Sequence, residues 1–189
     1  MSHAALGETR AVTLATCQSD AVTHSRMTRP RVCTYPHGNW EILAKKWFPV
    51  ARAIDIEDKP VATKLLDVKL VVYRTAQGIH VARDLCPHRG VPLSKGWVEG
   101  DEIICVYHGL RYGTDGRCNR IPAQPSVVPG ERFRATTFPV VEQYGLVWTC
   151  LDSDDGRADI PAFPQWTNES FQPILCPPRF NGCGAWTTD

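Results

Sequence analysis

The sequence lacks the features that would mark a membrane, secreted or nucleic-acid-binding protein. None of its apolar runs approaches the about 20 residues that a membrane-spanning helix needs. The N-terminus shows no apolar core followed by a small-residue cleavage site, so we expect no secretory signal. A net charge of +1 over 189 residues argues against a nucleic-acid partner held by bulk charge. We therefore expect a cytoplasmic protein with neither a membrane nor a nucleic acid as its partner.

Cysteine and histidine carry the chemistry that the sequence offers. The chain has eight cysteines and six histidines, and four of these residues form two mixed pairs, Cys86 with His88 and Cys105 with His108. Two thiolates and two imidazoles on separate loops can present four ligands to one small metal site. The alternative without a metal is that both cysteines are ordinary buried apolar residues.

The mixed order of the two pairs bears on which metal would bind. A zinc finger groups its two cysteines and its two histidines separately, with the histidines on a helix. A two-iron cluster that takes both cysteines on one iron and both histidines on the other suits the mixed order, and this is the Rieske [2Fe-2S] arrangement. A single zinc ion stays open as the second interpretation.

Two five-residue motifs contain the pairs, Cys86-Pro87-His88-Arg89-Gly90 and Cys105-Val106-Tyr107-His108-Gly109. They resemble the cluster motif of the Rieske non-haem iron oxygenases, in the N-terminal Rieske [2Fe-2S] domain of the ring-hydroxylating alpha-subunit type. Residues 47–51, 71–74 and 144–148 are similar to the entry strand, second hairpin and closing hairpin of that family. The resemblance implies a [2Fe-2S] cluster, a ferredoxin or flavin reductase as the electron donor, and four ligands: Cys86, His88, Cys105 and His108.

The resemblance also implies which residues surround the ligands without binding the cluster themselves: Arg89, Gly90, Tyr107, Gly109 and Tyr112. Respiratory-chain Rieske proteins carry an extra cysteine in each loop, which together form a disulfide clamp, and those places hold Val91 and Tyr107 here. We expect Tyr107 to pack over the cluster where the clamp is missing. Leu110 replaces the serine that donates a hydrogen bond to a cluster sulfur in the respiratory type. We therefore predict a potential near the low end of the Rieske range, roughly −150 mV.

Short runs rich in β-branched residues alternate with turns, which predicts an all-β fold. The resemblance sharpens this to stacked antiparallel sheets with an inserted cluster-binding subdomain at about residues 85–112. A short helix is predicted over residues 39–47, with Asn39 as its N-cap. Residues 121–132 contain three prolines and predict an extended loop that covers the cluster. We expect residues 1–36 to be a mobile tail, residues 37–152 the Rieske domain, and residues 153–189 a Pro-rich arm or connector.

A second kind of iron site is missing from the sequence. The family's oxygenases also hold a mononuclear Fe(II) with two histidines and a carboxylate, and no histidine follows His108 here. We therefore expect this iron only in a further catalytic domain, and an electron-accepting part of a mono- or dioxygenase as the function. A free-standing Rieske ferredoxin is the alternative, and a zinc-stabilised binding domain is the third hypothesis. A homo-oligomer or a catalytic-domain partner is expected for the oxygenase.

Overall fold

The computed structural model describes residues 27–153 and 160–176. In these ranges the chain forms one short α-helix, α1 at His37–Ala44, and eleven strands. The strands are β1 Phe48–Arg52, β2 Val61–Leu65, β3 Val68–Thr75, β4 Gly78–Arg83, β5 Trp97–Glu99, β6 Glu102–Ile104, β7 Arg111–Gly113, β8 Cys118–Arg120, β9 Thr137–Phe138, β10 Val140–Gln143 and β11 Leu146–Thr149. The prediction of an all-β fold with a short helix is confirmed.

Two of the three sheets form the part that we call the base. Their strand orders are β1-β11-β10 and β2-β3-β4-β9, with antiparallel pairing between neighbours. The core between them consists mostly of aliphatic side chains, together with Phe138 and Trp40. The indole Nε1 of Trp40 donates a 3.1 Å hydrogen bond to the carbonyl of Leu66. Burial of apolar area stabilises this part at about 25 cal/mol per Å².

The third sheet, in the order β5-β6-β7-β8, forms the cluster subdomain. Its strands run from Trp97 to Arg120 and so extend past the boundary predicted near Tyr112, because β8 pairs with β7 through a Tyr112↔Cys118 register. A second core lies between this sheet and the face of β3 and β4 that carries Val71, Tyr73 and Ala82. The two cores share the base sheet, since β3 supplies alternate side chains to each.

The helix begins three residues earlier than the prediction of Asn39 as its N-cap required. Pro36 is the N-cap, no side chain caps the helix, and Asn39 lies inside it. The Trp40 amide donates to the Pro36 carbonyl at 3.0 Å, so the helical hydrogen bonding starts directly after the proline. Trp40 and Trp47 are buried as the helical spacing indicated, although the helix ends at Ala44.

The segments around the base differ in part from the predicted tail, cover loop and arm. Residues 27–36 contact the base core through Met27, Cys33 and Tyr35, which departs from a mobile tail over this range; residues 1–26 lie outside the described residues. Residues 121–132 were predicted as an extended loop and instead include successive turns, in which the Gln124 amide donates to the Ile121 carbonyl and the Val127 amide donates to the Gln124 carbonyl. In the part of the arm that is described, Phe163 and Trp166 pack edge-on against Tyr144.

Across the described ranges, helices are too short and too polar to traverse a lipid bilayer.

Candidate metal centre

The first predicted motif forms a tight loop over residues 86–91, called the first loop. The Cys86 amide donates to the Val91 carbonyl at 2.8 Å, and the Gly90 amide donates back to the Cys86 carbonyl at 2.8 Å. Gly90 has φ +73°, a left-handed conformation that a side chain would strain. The glycine therefore makes the turn that brings the loop back beside Cys86.

The second motif repeats this geometry over residues 105–110, called the second loop. The Cys105 amide donates to the Leu110 carbonyl at 3.0 Å, and the Gly109 amide donates to the Cys105 carbonyl at 2.9 Å. Gly109 also adopts a left-handed conformation, with φ +67°. The two loops therefore share one hydrogen-bonding pattern, although His88 follows its cysteine by two residues and His108 by three.

The two sulfurs lie on the buried side of these loops. Cys86 is 2 % exposed and Cys105 is 1 % exposed, and both belong to the core of the cluster subdomain. Burial raises the pKa of the Cys105 thiol, backbone amides of the second loop oppose the rise, and the adjacent Cys86 adds to it. A thiol whose ionisation burial disfavours is stabilised as a thiolate by binding a cation or a metal centre.

Tyr112 lies against the first of these sulfurs. Its side chain is fully buried, and its hydroxyl is 3.1 Å from Cys86 Sγ. When Cys86 is a thiolate ligand, the hydroxyl donates this hydrogen bond. Burial raises the pKa of the Tyr112 phenol, and the hydrogen bond with Cys86 raises it further, so the group is a proton donor at ordinary pH. Tyr112 thus lies next to Cys86, one of the predicted ligands.

The two histidines meet on the outer side of the loops. The ring centroids of His88 and His108 are 4.8 Å apart. His88 Nδ1 is buried and has no hydrogen-bond partner within the described part of the chain. Burial lowers the pKa of His88, with His108 as the second cause, so the ring favours its neutral form. A neutral imidazole with a buried, unpartnered nitrogen offers the lone pair that a metal ligand needs.

The side chains predicted around the ligands fall into different environments. Arg89 is exposed at the turn of the first loop. The Tyr107 ring is 60 % exposed and lies 3.9 Å from the His108 ring, measured between centroids. Tyr107 therefore flanks His108 at the surface, and the expectation that it packs over the cluster stays a prediction.

Two further contacts near the loops were not anticipated from the sequence. The Phe133 ring lies 6.1 Å from the His88 ring, and the Arg132 guanidinium stacks over Phe133 at 4.8 Å. The Asp84 carboxylate, which is 7 % exposed, accepts two hydrogen bonds from Ser94. No spacing in the sequence points to Phe133, whereas Asp84 stands two residues before Cys86.

The donor set fits a two-iron cluster of the mixed type. Within residues 27–153 and 160–176, no three or more His, Cys, Asp or Glu side chains gather around one point as they would around a single ion. A Rieske cluster instead requires two pairs of ligands, two cysteine sulfurs for one iron and two histidine nitrogens for the other. The structure offers such pairs, with the sulfurs buried and the histidine rings adjacent.

Comparison with protein families bears on the same residues. The family described as Rieske [2Fe-2S] domain matches residues 46–144, which include both loops. The methylxanthine N1-demethylase NdmA of Pseudomonas putida is 36 % identical over 129 residues, which cover 65 % of this chain and 37 % of that protein. A putative toluene-4-sulfonate monooxygenase iron-sulfur subunit, TsaM2 of Comamonas testosteroni, is 40 % identical over 119 residues. That match covers 62 % of this chain and 34 % of the subunit.

A solved structure shows the same architecture. The structure of NdmB from Pseudomonas putida superposes with a TM-score of 0.67 at 32 % identity, covering 71 % of this chain and 43 % of that one. The chain spans little more than a third of the curated relatives it matches.

Proposed function

The chain belongs to the Rieske [2Fe-2S] domain family, and from that premise we propose that it is the electron-accepting part of a Rieske-type oxygenase. The family carries the cofactor that the motifs predicted, so the resemblance and the [2Fe-2S] cofactor are confirmed at the level of the family. The activity of the whole protein is the proposal, because the matched region covers only 37 % and 34 % of these two relatives.

The proposed ligands are the four residues that the two loops present, Cys86, His88, Cys105 and His108. The observation that supports them most is the repeated loop geometry, which buries both sulfurs and brings the two imidazoles to 4.8 Å between centroids. We assign the cysteines to one iron and the histidines to the other, as the family's cofactor requires.

The side chains around the cofactor have separate tasks in this proposal. When bound, a cluster of this type supplies a site that takes up and releases one electron. Tyr112 donates a hydrogen bond to Cys86 Sγ and thereby stabilises negative charge on that sulfur. Gly90 and Gly109 turn the two loops. His108 and Tyr107 are exposed at the same edge, which makes this edge the side that redox partners reach.

The oxygenase activity itself requires a further iron site. The relatives include an N-demethylase and, at 34 % identity, a 3-chlorobenzoate-3,4-dioxygenase oxygenase subunit from Comamonas testosteroni. We propose a mono- or dioxygenase component whose mononuclear Fe(II) is held by a catalytic domain or partner subunit, since no histidine follows His108. A homo-oligomer would bring such a domain beside the cluster.

The proposed electron donor is a ferredoxin or a flavin reductase. Within the described ranges none of the six cysteines forms a disulfide, which supports a cytoplasmic location, where glutathione and thioredoxin keep thiols reduced. The exposed histidine edge offers the donor direct access to the ligands.

Metal and sulfide analysis of the purified chain tests this proposal. We expect about two irons and two sulfides per chain, and a paramagnetic spectrum of Rieske type after reduction with dithionite. Reduction by NADH with a catalytic amount of a ferredoxin reductase should give the same spectrum. Colourless protein that contains zinc would support the zinc-stabilised binding domain and contradict the proposal.

A further inference from the structure

The two loops have the same internal hydrogen bonds, but their ends are closed in different ways. The second loop is the tip of a hairpin, because β6 and β7 pair directly on either side of it, with Ile104 opposite Arg111. Its ends are therefore held by backbone hydrogen bonds, which no single side chain controls.

The first loop has no such ladder at its base. On its N-terminal side β4 ends at Arg83 and pairs with β3 and β9, whereas on its C-terminal side the chain enters a 3-10 turn at Leu93–Lys95. The residues just outside the loop are instead joined by a side chain. The Ser94 amide donates to Asp84 Oδ1 at 2.7 Å, and the Ser94 hydroxyl donates to Asp84 Oδ2 at 2.7 Å.

Asp84 is well placed to hold the loop rigidly. Its own amide donates to the Lys69 carbonyl at 2.9 Å, so the residue is tied to β3 of the base. Its side chain is 7 % exposed, and both carboxylate oxygens are used. A hydrogen bond from a neutral donor to a charged acceptor is stronger than one between neutral groups, and burial increases the difference.

Resting on the proposed function, we infer that Asp84 is the positioning residue for the first pair of ligands, Cys86 and His88. Its carboxylate closes the first loop through Ser94, as strand pairing closes the second loop. Because this buried negative charge lies two residues from Cys86, it also disfavours addition of an electron at the site and lowers the reduction potential.

Three variants of the holoprotein separate position from charge. Asp84→Asn keeps an oxygen that accepts from the Ser94 amide, and its amide group can donate to the Ser94 hydroxyl, so only the charge is removed. Asp84→Ala removes both hydrogen bonds, and Ser94→Ala removes one. Glu102→Gln is the matched control near the second loop, since Glu102 pairs with Arg111 and the β6–β7 ladder does not depend on it.

Two quantities are measured for each variant, the half-life of the visible cluster spectrum under an iron chelator and the reduction potential by protein-film voltammetry. We expect Asp84→Ala to lose the spectrum about tenfold faster than wild type, the lower limit for groups that orient ligands. Ser94→Ala should lose the spectrum at a rate between those of wild type and Asp84→Ala. Asp84→Asn should have a half-life close to that of wild type and a raised reduction potential. Glu102→Gln should also keep the wild-type half-life, and its reduction potential should rise by less than that of Asp84→Asn.

An unchanged potential in Asp84→Asn, or wild-type cluster loss in Ser94→Ala, would overturn the inference. Should Asp84→Ala fail to fold by circular dichroism, the other two variants decide the matter. The spectrum of the wild type tests the proposed function, and the comparison of the variants with the wild type tests the role of Asp84. If the wild-type chain holds no Rieske cluster, both the proposed function and this inference fail. If the wild type holds a normal cluster and the variants do not differ from it in half-life or potential, only the role of Asp84 is rejected.

Discussion

The base and the cluster subdomain are built from the same short antiparallel strands, yet their cores differ in kind. The base core holds only apolar side chains, such as Leu70 and Val72, which pack on Trp40. The core of the cluster subdomain includes three thiols, those of Cys86, Cys105 and Cys118, beside the phenol of Tyr112. The apolar core of the base therefore needs no metal to be stable. The cluster subdomain buries the proposed sulfur ligands, whose thiolate form is stabilised by a bound metal.

Removal of a sulfur ligand should have the largest effect and should be confined to the subdomain. We expect Cys105→Ser to lose the cluster, because only one sulfur ligand would remain for its iron. Hydrogen exchange measured by mass spectrometry should then show faster exchange in β5 to β8 and unchanged protection of β2 and β3. Cys150→Ser is the matched control, since Cys150 is equally buried and its thiol donates to the Ala44 carbonyl of the base. Equal loss of protection in both parts would contradict the comparison.

A cavity in the base should destabilise the fold without changing the cluster. Leu70 is fully buried on β3, so Leu70→Ala should cost about 2–5 kcal/mol of unfolding free energy in chemical denaturation. The reduction potential of the folded fraction should stay at its wild-type value. Ile42→Ala, at a residue that is 64 % exposed on α1, should stay within about 0.5 kcal/mol. A shifted potential in Leu70→Ala would mean that the two cores are not independent.

The hydroxyl of Tyr112 should act on the potential and little on stability. Tyr112→Phe removes the donor to Cys86 Sγ, so the reduced state loses stabilisation and the potential should fall by tens of millivolts. About 59 mV corresponds to a tenfold change in equilibrium for one electron. Tyr73→Phe is the control, because Tyr73 is buried in the same core and lacks a bond to either ligand sulfur in the described structure. Equal shifts of the reduction potential in both variants would show that the hydrogen bond from Tyr112 to Cys86 does not set the potential.

The smallest expected effect concerns the contact between residues 27–36 and the base. Thr34 donates to Asp67 Oδ2 from its amide at 2.8 Å and from its hydroxyl at 2.7 Å. Burial raises the pKa of the Asp67 carboxyl, but the two bonds from Thr34, a hydrogen bond from Cys33 and the charge of Lys64 together hold the pKa below its usual value. The folded pKa is lowered, so this contact stabilises the fold above the unfolded pKa, and the gain is lost as the pH falls through the folded one.

Asp67→Asn should therefore cost at most about 1 kcal/mol at pH 7, since an exposed hydrogen bond contributes little. The difference from wild type should shrink below about pH 4 as the wild-type carboxyl takes up its proton. Urea denaturation at both pH values measures this. A difference that grows on acidification would show that the carboxylate does not stabilise the contact.

The loops and most strands of the base were predictable because their signals are local. Alternating β-branched residues mark β3 and β4, and the motif spacing places each histidine beside its cysteine. The helix start at Pro36 was missed because Asn39 is the better side-chain cap in isolation, while the backbone already supplies the first helical bond. The contacts of Met27 with the base and of Ser94 with Asp84 join segments that approach only in the folded chain. Local patterns contain no information on such pairs.

The measurement that tests the central claim most directly is the paramagnetic spectrum of the dithionite-reduced His108→Cys variant beside that of the wild type. If His88 and His108 share one iron while Cys86 and Cys105 share the other, the wild type gives a Rieske spectrum. The variant then moves toward the spectrum of an all-cysteine [2Fe-2S] cluster. An unchanged spectrum in a variant that still contains two irons would remove His108 from the ligands and contradict the account.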